Sequence, residues 1–417
     1  MAYEKAFPVV LAALFALTAC SAQEDGKGGP HPSGTARSAA NSSAPANSSK
    51  SNEALFASSA VLNDIDQIHA ARNFFVSVGK DALITHAANG TEVARSGVSA
   101  FSGGCILAVT GSAAESGVLI WARSTENPAA GVKPASWTLS ITATDAKTYK
   151  QRWSRPLVAE SPKPVGCVDP EKATVTKNEQ WLAYGQWVVN LADGTSRALG
   201  DGIVPRAVGN TVLVFDGVCA NCLNGMKSVP VTDPASGRTL FSFPDMFGPL
   251  SDVPGDFATS SDGSTLFIAR RVSGHPLGYA LQSRSLATGA VNWEKRGTSY
   301  TGLVSQRVKL AEAAGVVAMP DLAAADETGR KPDEPQRTLG LAMADGKQLW
   351  SLPGVDACAA NGAGIEVKVN GQLAVLDPRT GHQIAYTPDR SDCGTSIGEY
   401  AYYRHEGAVI RILPSSP

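Results

Sequence analysis

The stretch LDPRTGHQIAY, Leu376 to Tyr386, decides how this chain is read. An aspartate and a proline open a turn, a glycine closes it, and a short apolar and aromatic segment follows. Asp and Thr side chains hydrogen-bond the turn backbone, Pro presets φ, and Gly takes the left-handed position. Six more stretches share this form: AANGTEVA (Ala87 to Ala94), TDAKTYKQRW (Thr144 to Trp153), LADGTSRAL (Leu191 to Leu199), TDPASGRTLF (Thr232 to Phe241), SLATGAVNW (Ser285 to Trp293) and MADGKQLW (Met343 to Trp350). Aligned on the turn, the key positions are Gly90, Thr148, Gly194, Gly237, Gly289, Gly346 and Gly381. The seven copies stand 35 to 58 residues apart, about 48 on average. One hairpin cannot bury both of its faces, so units repeating at this period must cover one another.

The sequence between the tags supports short strands. Asn73 to Val78 and Ala82 to Thr85 flank Gly79-Lys80-Asp81, and Gly104 to Thr110 is followed by Gly117 to Arg123. Trp137 to Ala143, Trp181 to Val189, Val208 to Phe215 and Thr265 to Ala269 continue the pattern, the last behind a second turn type at Ser260 to Ser264. Glu126 to Pro134 and Asp326 to Gln336 read as exposed, Pro-containing loops, and no ordinary amphipathic helix is present. Many short strands at long, even spacing predict an all-β chain folded as a β-propeller of four-stranded blades. Seven tags favour seven blades. Eight is the alternative, if the two strands within Glu399 to Leu413 close a further blade with the Leu55 to Leu62 segment.

The N-terminus reads as an address. Ala6 to Ala19 is a largely apolar run of 14 residues, too short to span a bilayer and typical of a signal peptide. It ends in Leu17-Thr18-Ala19-Cys20, which looks like a bacterial lipobox. Residues 1–19 are therefore expected to be a lipoprotein signal peptide and Cys20 the lipidated residue, anchored by acyl chains such as palmitate. Ser21 to Lys50 holds no Val, Ile, Leu, Met or aromatic residue, so residues 20–53 are expected to be a flexible tether and 54–417 the propeller. Extracytoplasmic attachment to a bacterial membrane follows as an expectation. With Cys20 set aside, six cysteines remain, Cys105, Cys167, Cys219, Cys222, Cys358 and Cys393, an even number in an exported chain. Disulfides are the expected state. Proximity in sequence suggests Cys105–Cys167, Cys219–Cys222 and Cys358–Cys393 among the possible pairings. The Cys219-Ala220-Asn221-Cys222 motif leaves redox and metal roles open, and its setting between a β-rich run and Asn224-Gly225 favours a structural bond.

Chemistry is sparse elsewhere. Lys and Arg number 36 against 38 Asp and Glu, a net charge of −2, which argues against a nucleic-acid partner. His69, His86, His275, His382 and His405 show no metal-binding or catalytic spacing, and no nucleophile elbow or phosphate loop occurs. No catalytic residue, metal site or cofactor is therefore expected.

Asp345, Gly346 and Trp350, with the Trp four residues after the Gly, resemble the repeats of the quinoprotein-like, or PQQ-repeat, β-propellers, and Gly289 with Trp293 keeps the same spacing. Thr148 with Trp153 stretches it by one. The resemblance implies that Trp153, Trp293 and Trp350 dock one blade onto the next. In outline the chain also resembles the propeller lipoproteins of outer-membrane assembly, which implies a binding or scaffold module with an envelope or membrane protein partner. The alternatives are a cell-envelope enzyme (a quinone-dependent oxidoreductase or a glycan hydrolase) and a small-ligand sensor. The chain lacks the adjacent cysteines of the quinone enzymes.

Overall fold

The computed structural model describes residues 60–62, 65–101, 104–163, 165–166, 173–201, 203–216, 228–244, 257–271, 279–296, 308–321, 337–360, 364–369, 372–387, 395–397, 400–405 and 409–414. Cys20, the tether, Cys167, Cys219, Cys222, Cys393, His275 and the Asp326 to Gln336 segment lie outside them.

The chain opens with β1 (Ala60–Leu62) and then builds consecutive sheets. Blade I is β2 (Ile65–Ala70), β3 (Phe74–Gly79), β4 (Ala82–Ala87) and β5 (Glu92–Gly97). Blade II is β6 (Gly104–Thr110), β7 (Val118–Asn127), β8 (Ser136–Asp145) and β9 (Gln151–Ser161). Blade III is β10 (Thr174–Val175), β11 (Trp181–Tyr184), β12 (Trp187–Asn190) and β13 (Ser196–Ala198). Blade IV is β14 (Ile203–Val208), β15 (Thr211–Asp216), β16 (Ser228–Thr232) and β17 (Thr239–Pro244). Blade V is β18 (Phe257–Thr259), β19 (Thr265–Arg271), β20 (Tyr279–Ser285) and β21 (Val291–Arg296). Blade VI is β22 (Lys309–Ala311), β23 (Val316–Asp321), β24 (Arg337–Ala342) and β25 (Gln348–Pro353). Blade VII is β26 (Val355–Ala360), β27 (Ile365–Val369), β28 (Gln372–Leu376) and β29 (Gln383–Thr387). The last strands are β30 (Thr395–Ile397), β31 (Tyr400–His405) and β32 (Val409–Pro414).

Each sheet is a simple antiparallel meander, and the eighth is completed by β1. Ala60 pairs with Ile412 and Leu62 with Ile410, so the first strand of the chain zips onto the last. The blade count is therefore eight, the alternative to the favoured seven. The reason is topological: the tag is the turn between the third and fourth strands of a blade. In blade VIII that connection does not exist, because β32 and β1 are the two ends of the chain. Eight blades yield seven tags.

The strands form where β-branched and aromatic residues cluster, as in β3 (FFVSVG), β12 (WVVN) and β15 (TVLVFD). Second and third strands are buried on both faces and read as near-continuous apolar runs, whereas fourth strands such as β5 and β13 are largely exposed. The core is a series of layers between blades. Leu139, Ile141 and Ala143 of blade II pack with Leu182, Tyr184 and Trp187 of blade III. Val316 and Ala318 of blade VI pack with Ile365 and Val367 of blade VII. Phe75 of blade I stacks on Tyr402 of blade VIII at 6.1 Å, across the closure. Neighbouring sheets approach at their first strands, β2 to β6, β6 to β10, β10 to β14 and β22 to β26, which places those strands around the axis.

The meander gives the ring two unlike faces. First-to-second and third-to-fourth turns emerge on one, the tag face. Second-to-third connections and the crossings to the next blade emerge on the other.

Candidate interaction surface

Six of the seven tags are one and the same turn. The amide of the fifth residue donates to the carbonyl of the first: Tyr149 to Asp145 at 2.8 Å, Gly194 to Asn190 at 2.9 Å, Gly237 to Asp233 at 2.8 Å, Gly289 to Ser285 at 2.8 Å, Gly346 to Ala342 at 2.9 Å and Gly381 to Asp377 at 2.9 Å. The fifth residue is left-handed in each, with φ between 70° and 76° at the glycines and 56° at Tyr149. The turn position of the second tag is thus Tyr149 and not Thr148, and Trp153 keeps the four-residue spacing. The first tag is one residue shorter, closed by Gly90 to Ala87 at 2.9 Å.

These turns receive the preceding blade. The indole nitrogen of Trp153 donates to Leu191 O at 3.1 Å, that of Trp293 to Met343 O at 2.8 Å and that of Trp350 to Pro378 O at 2.7 Å. In each case the acceptor is the second residue of the next tag. The same carbonyl, Pro234 O, takes Arg197 Nη2 at 3.3 Å, and Ala146 O takes Thr85 Oγ1 at 2.6 Å. The rings also cover the turn glycines. A Cβ at Gly194 would stand 2.5 Å from Trp153, one at Gly346 2.6 Å from Trp293, and one at Gly381 2.8 Å from Trp350. Phe241 fills this place over Gly289. Phe241, four residues after Gly237, is the aromatic that stands in for the Trp in its tag; Arg197 follows only from the register.

Among the described residues, titratable groups give little catalytic chemistry. His86 and Ser77 form a pair at 2.8 Å that resembles a base and nucleophile, but both are buried and out of reach of a substrate. His86 Nδ1 lies 3.1 Å from Gly90 O and must donate to it, so Nε2 accepts from Ser77. Its ring stacks on Phe75 at 4.6 Å. Burial holds its pKa below the ordinary histidine value, keeping the ring neutral. Among the described residues no group of three His, Cys, Asp or Glu is placed to hold a metal ion. Cys105 and Cys358 are each disulfide-bonded.

Among the described residues, the surface feature that sets one blade apart is on blade II. Its second, third and fourth strands run 10, 10 and 11 residues, and among the described residues no strand of any other blade exceeds seven. The β7–β8 ladder continues through Glu126↔Trp137 to Asn127↔Ser136, so Glu126 and Asn127 belong to a strand and not to the expected loop. Beyond it Ala130 and Lys133 bridge around Gly131 and Val132. Asn127 Nδ2 donates to Thr138 Oγ1 at 2.8 Å, and Lys133 pairs with Glu160 of β9 at 2.5 Å. Leu139 and Val158 fasten the base of this arm into the core shared with blade III. Residues 128–135 are all exposed, and Val132 fully so. The arm is a stiff hairpin with a small apolar tip of Pro, Ala and Val, its one charge already matched. It stands on the face opposite the tags.

No family model matches this chain, and no curated protein does. Solved structures are similar to it. BamB from Moraxella catarrhalis is 14% identical over 85% of this chain and 98% of its own, with a TM-score of 0.43. Sqt1 from Saccharomyces cerevisiae is 9% identical over 86% and 98%, with a TM-score of 0.44. A europium-containing methanol dehydrogenase is 11% identical over 78% and 69%, with a TM-score of 0.32. The chain is a β-propeller, a statement that rests on its own eight-sheet topology and not on these scores.

Proposed function

We propose that this chain is a membrane-anchored, extracytoplasmic lipoprotein whose propeller serves as a protein-binding scaffold. The observation that carries the reading is the blade II arm. An exposed apolar tip on a projecting hairpin offers a contact that a partner protein can cover, and loops held on a scaffold of regular structure often carry function. The tip has no Trp, Phe or Leu, so it is poorly suited to a lipid bilayer and better suited to an apolar cleft in a protein. Oxidised Cys105 and Cys358 support an extracytoplasmic address, where disulfides persist. We pair Cys105 with Cys167, Cys358 with Cys393 and Cys219 with Cys222. Cys20 carries the lipid.

The test is affinity capture of the full chain from crosslinked cells, beside Cys20→Ser and a variant with residues 128–135 replaced by Asn-Gly. The reading expects one partner in near-equal amount, reduced by loss of the anchor and lost with the arm. Equal recovery by the wild type and the shortened arm would refute the arm as the contact.

A further inference from the structure

The outer strands carry a second feature. Five large apolar side chains are exposed among the described residues: Val132 at the arm tip, Val204, Val291, Leu349 and Ile384. The last three hold one position in three consecutive blades. Val291 opens β21 two residues after Gly289, Leu349 lies in β25 three residues after Gly346, and Ile384 lies in β29 three residues after Gly381. Each stands at the tag end of the outermost strand of its blade, 41% to 46% exposed. Leu349 and Ile384 are the extra residues of β-bulges: Gln348 pairs with Leu341 and Trp350 with Gly340, while Gln383 pairs with Leu376 and Ala385 with Val375. A bulge re-aims the side chain that it adds. The three blades are tied together at this level. Lys295 of β21 donates to Gln348 Oε1 at 3.1 Å, and Trp350 covers Gly381. Blades I to III begin the same strand with Glu92, Gln151 and Ser196, all exposed. The apolar arc is therefore centred on blade VI, and in a ring of eight blade VI is opposite blade II.

The chain enters the ring beside this arc. β1 is the outermost strand of blade VIII, and Ala60, its first residue, pairs with Ile412 near the end of β32. In the other blades this is where the third strand turns into the fourth, so Ala60 lies at the tag end of the rim, in the blade next to blade VII. Cys20 precedes it by 40 residues, and a flexible chain of that length reaches about 35 Å on average. A lipid on Cys20 would hold the tag side of the propeller within reach of the bilayer. Three part-exposed aliphatic side chains bind lipid weakly by themselves, but a tethered contact works at the high effective concentration that its linker sets. Around the arc Lys347 and Arg379 are offset by Asp345 and Asp377, whose carboxylates accept amides of their own turns. The arc therefore suits a lipid surface through its aliphatic side chains and not through net charge.

We propose that the tag-side rim of blades V, VI and VII rests on the membrane that holds the lipid anchor, with Val291, Leu349 and Ile384 dipping into the acyl boundary and the blade II arm facing away. The contact rests on the anchored reading of the chain. The experiment uses the full lipidated chain in phosphatidylcholine vesicles, with a benzophenone amino acid at Gln383 on the rim or at Val132 on the arm. A lipid adduct adds too little mass for a separate band on a gel, so intact mass is the readout. The expected result is a lipid adduct from position 383, at least fivefold above that from position 132. It should weaken at least fivefold when Val291→Ser, Leu349→Ser and Ile384→Ser are combined. If the combined variant does not fold, the comparison of the two positions in the unsubstituted chain decides. No lipid adduct from position 383, equal yields from both positions, or a yield unchanged by the three serines in a folded chain would overturn the proposal. So would a protein adduct from position 383 in intact cells, which would make the rim a protein interface. The same masses report the anchor: an unacylated Cys20 refutes the anchored reading and this contact with it, whereas an acylated chain with no adduct refutes the contact alone.

Discussion

Tyr149 holds a left-handed backbone that the other five turns of its kind give to glycine. Such a conformation costs a residue with a Cβ about 1–2 kcal/mol. It persists here because the phenol is tied into the preceding blade: it lies 2.8 Å from Thr85 Oγ1 and donates to Leu83 O at 3.2 Å. A reading for turn formers passes over a tyrosine, which is why the sequence aligns this tag on Thr148 and sets Trp153 one residue too far. The Trp spacing itself was legible because each indole covers a glycine that admits no side chain. Trp350 is buried and bonded to Pro378 O. Trp350→Ala is expected to cost about 3–5 kcal/mol, and Trp350→Phe, which keeps most of the packing, about 1–2 kcal/mol, measured by urea unfolding. The histidines set a pH dependence. His69 has a folded pKa of about 4, below the 6.5 of an unfolded chain. The unfolded state therefore binds more protons between these values. The stabilisation is complete above pH 6.5 and is lost as pH falls through 4. The melting temperature should drop over this window, and His69→Gln should flatten the drop; an unchanged slope would count against a desolvated His69.

At the scale of the element, strands β3, β4, β6 and β19 were legible from apolar runs bounded by turn residues, because local chemistry sets them. The arm was not. Glu126 and Asn127 are polar, Pro128 and Pro134 follow, and only the cross-strand ladder with Ser136 and Trp137 makes them a hairpin. The arm contributes little to the fold above Leu139. Since Asn127 and Ser136 are a cross-strand pair, a two-residue Asn-Gly turn joins them without changing register. Replacing residues 128–135 in this way should leave the stability within about 0.5 kcal/mol of wild type, read by thermal unfolding. A larger loss would mean that the tip packs against the propeller and is not a free contact.

At the scale of the whole molecule, the repeat period was legible and the blade count was not, because the eighth blade is split between the chain ends. Its fourth strand is supplied by the pairing of Ala60 to Leu62 with Ile410 to Ile412. Deleting residues 54–62 should bare the edge of β32, lower the melting temperature and promote association through that edge, seen by analytical ultracentrifugation. A deletion variant as stable and monomeric as the parent would contradict the eight-bladed closure. The two faces give the ring its working asymmetry, tight docking turns on one and the arm on the other. The most direct measurement is photo-crosslinking in intact cells, with the reactive residue at Val132 on the arm and, for comparison, at Lys347 on the tag face. The account predicts one discrete adduct from position 132 and none from position 347. No adduct from 132, or the same adduct from both faces, would contradict it.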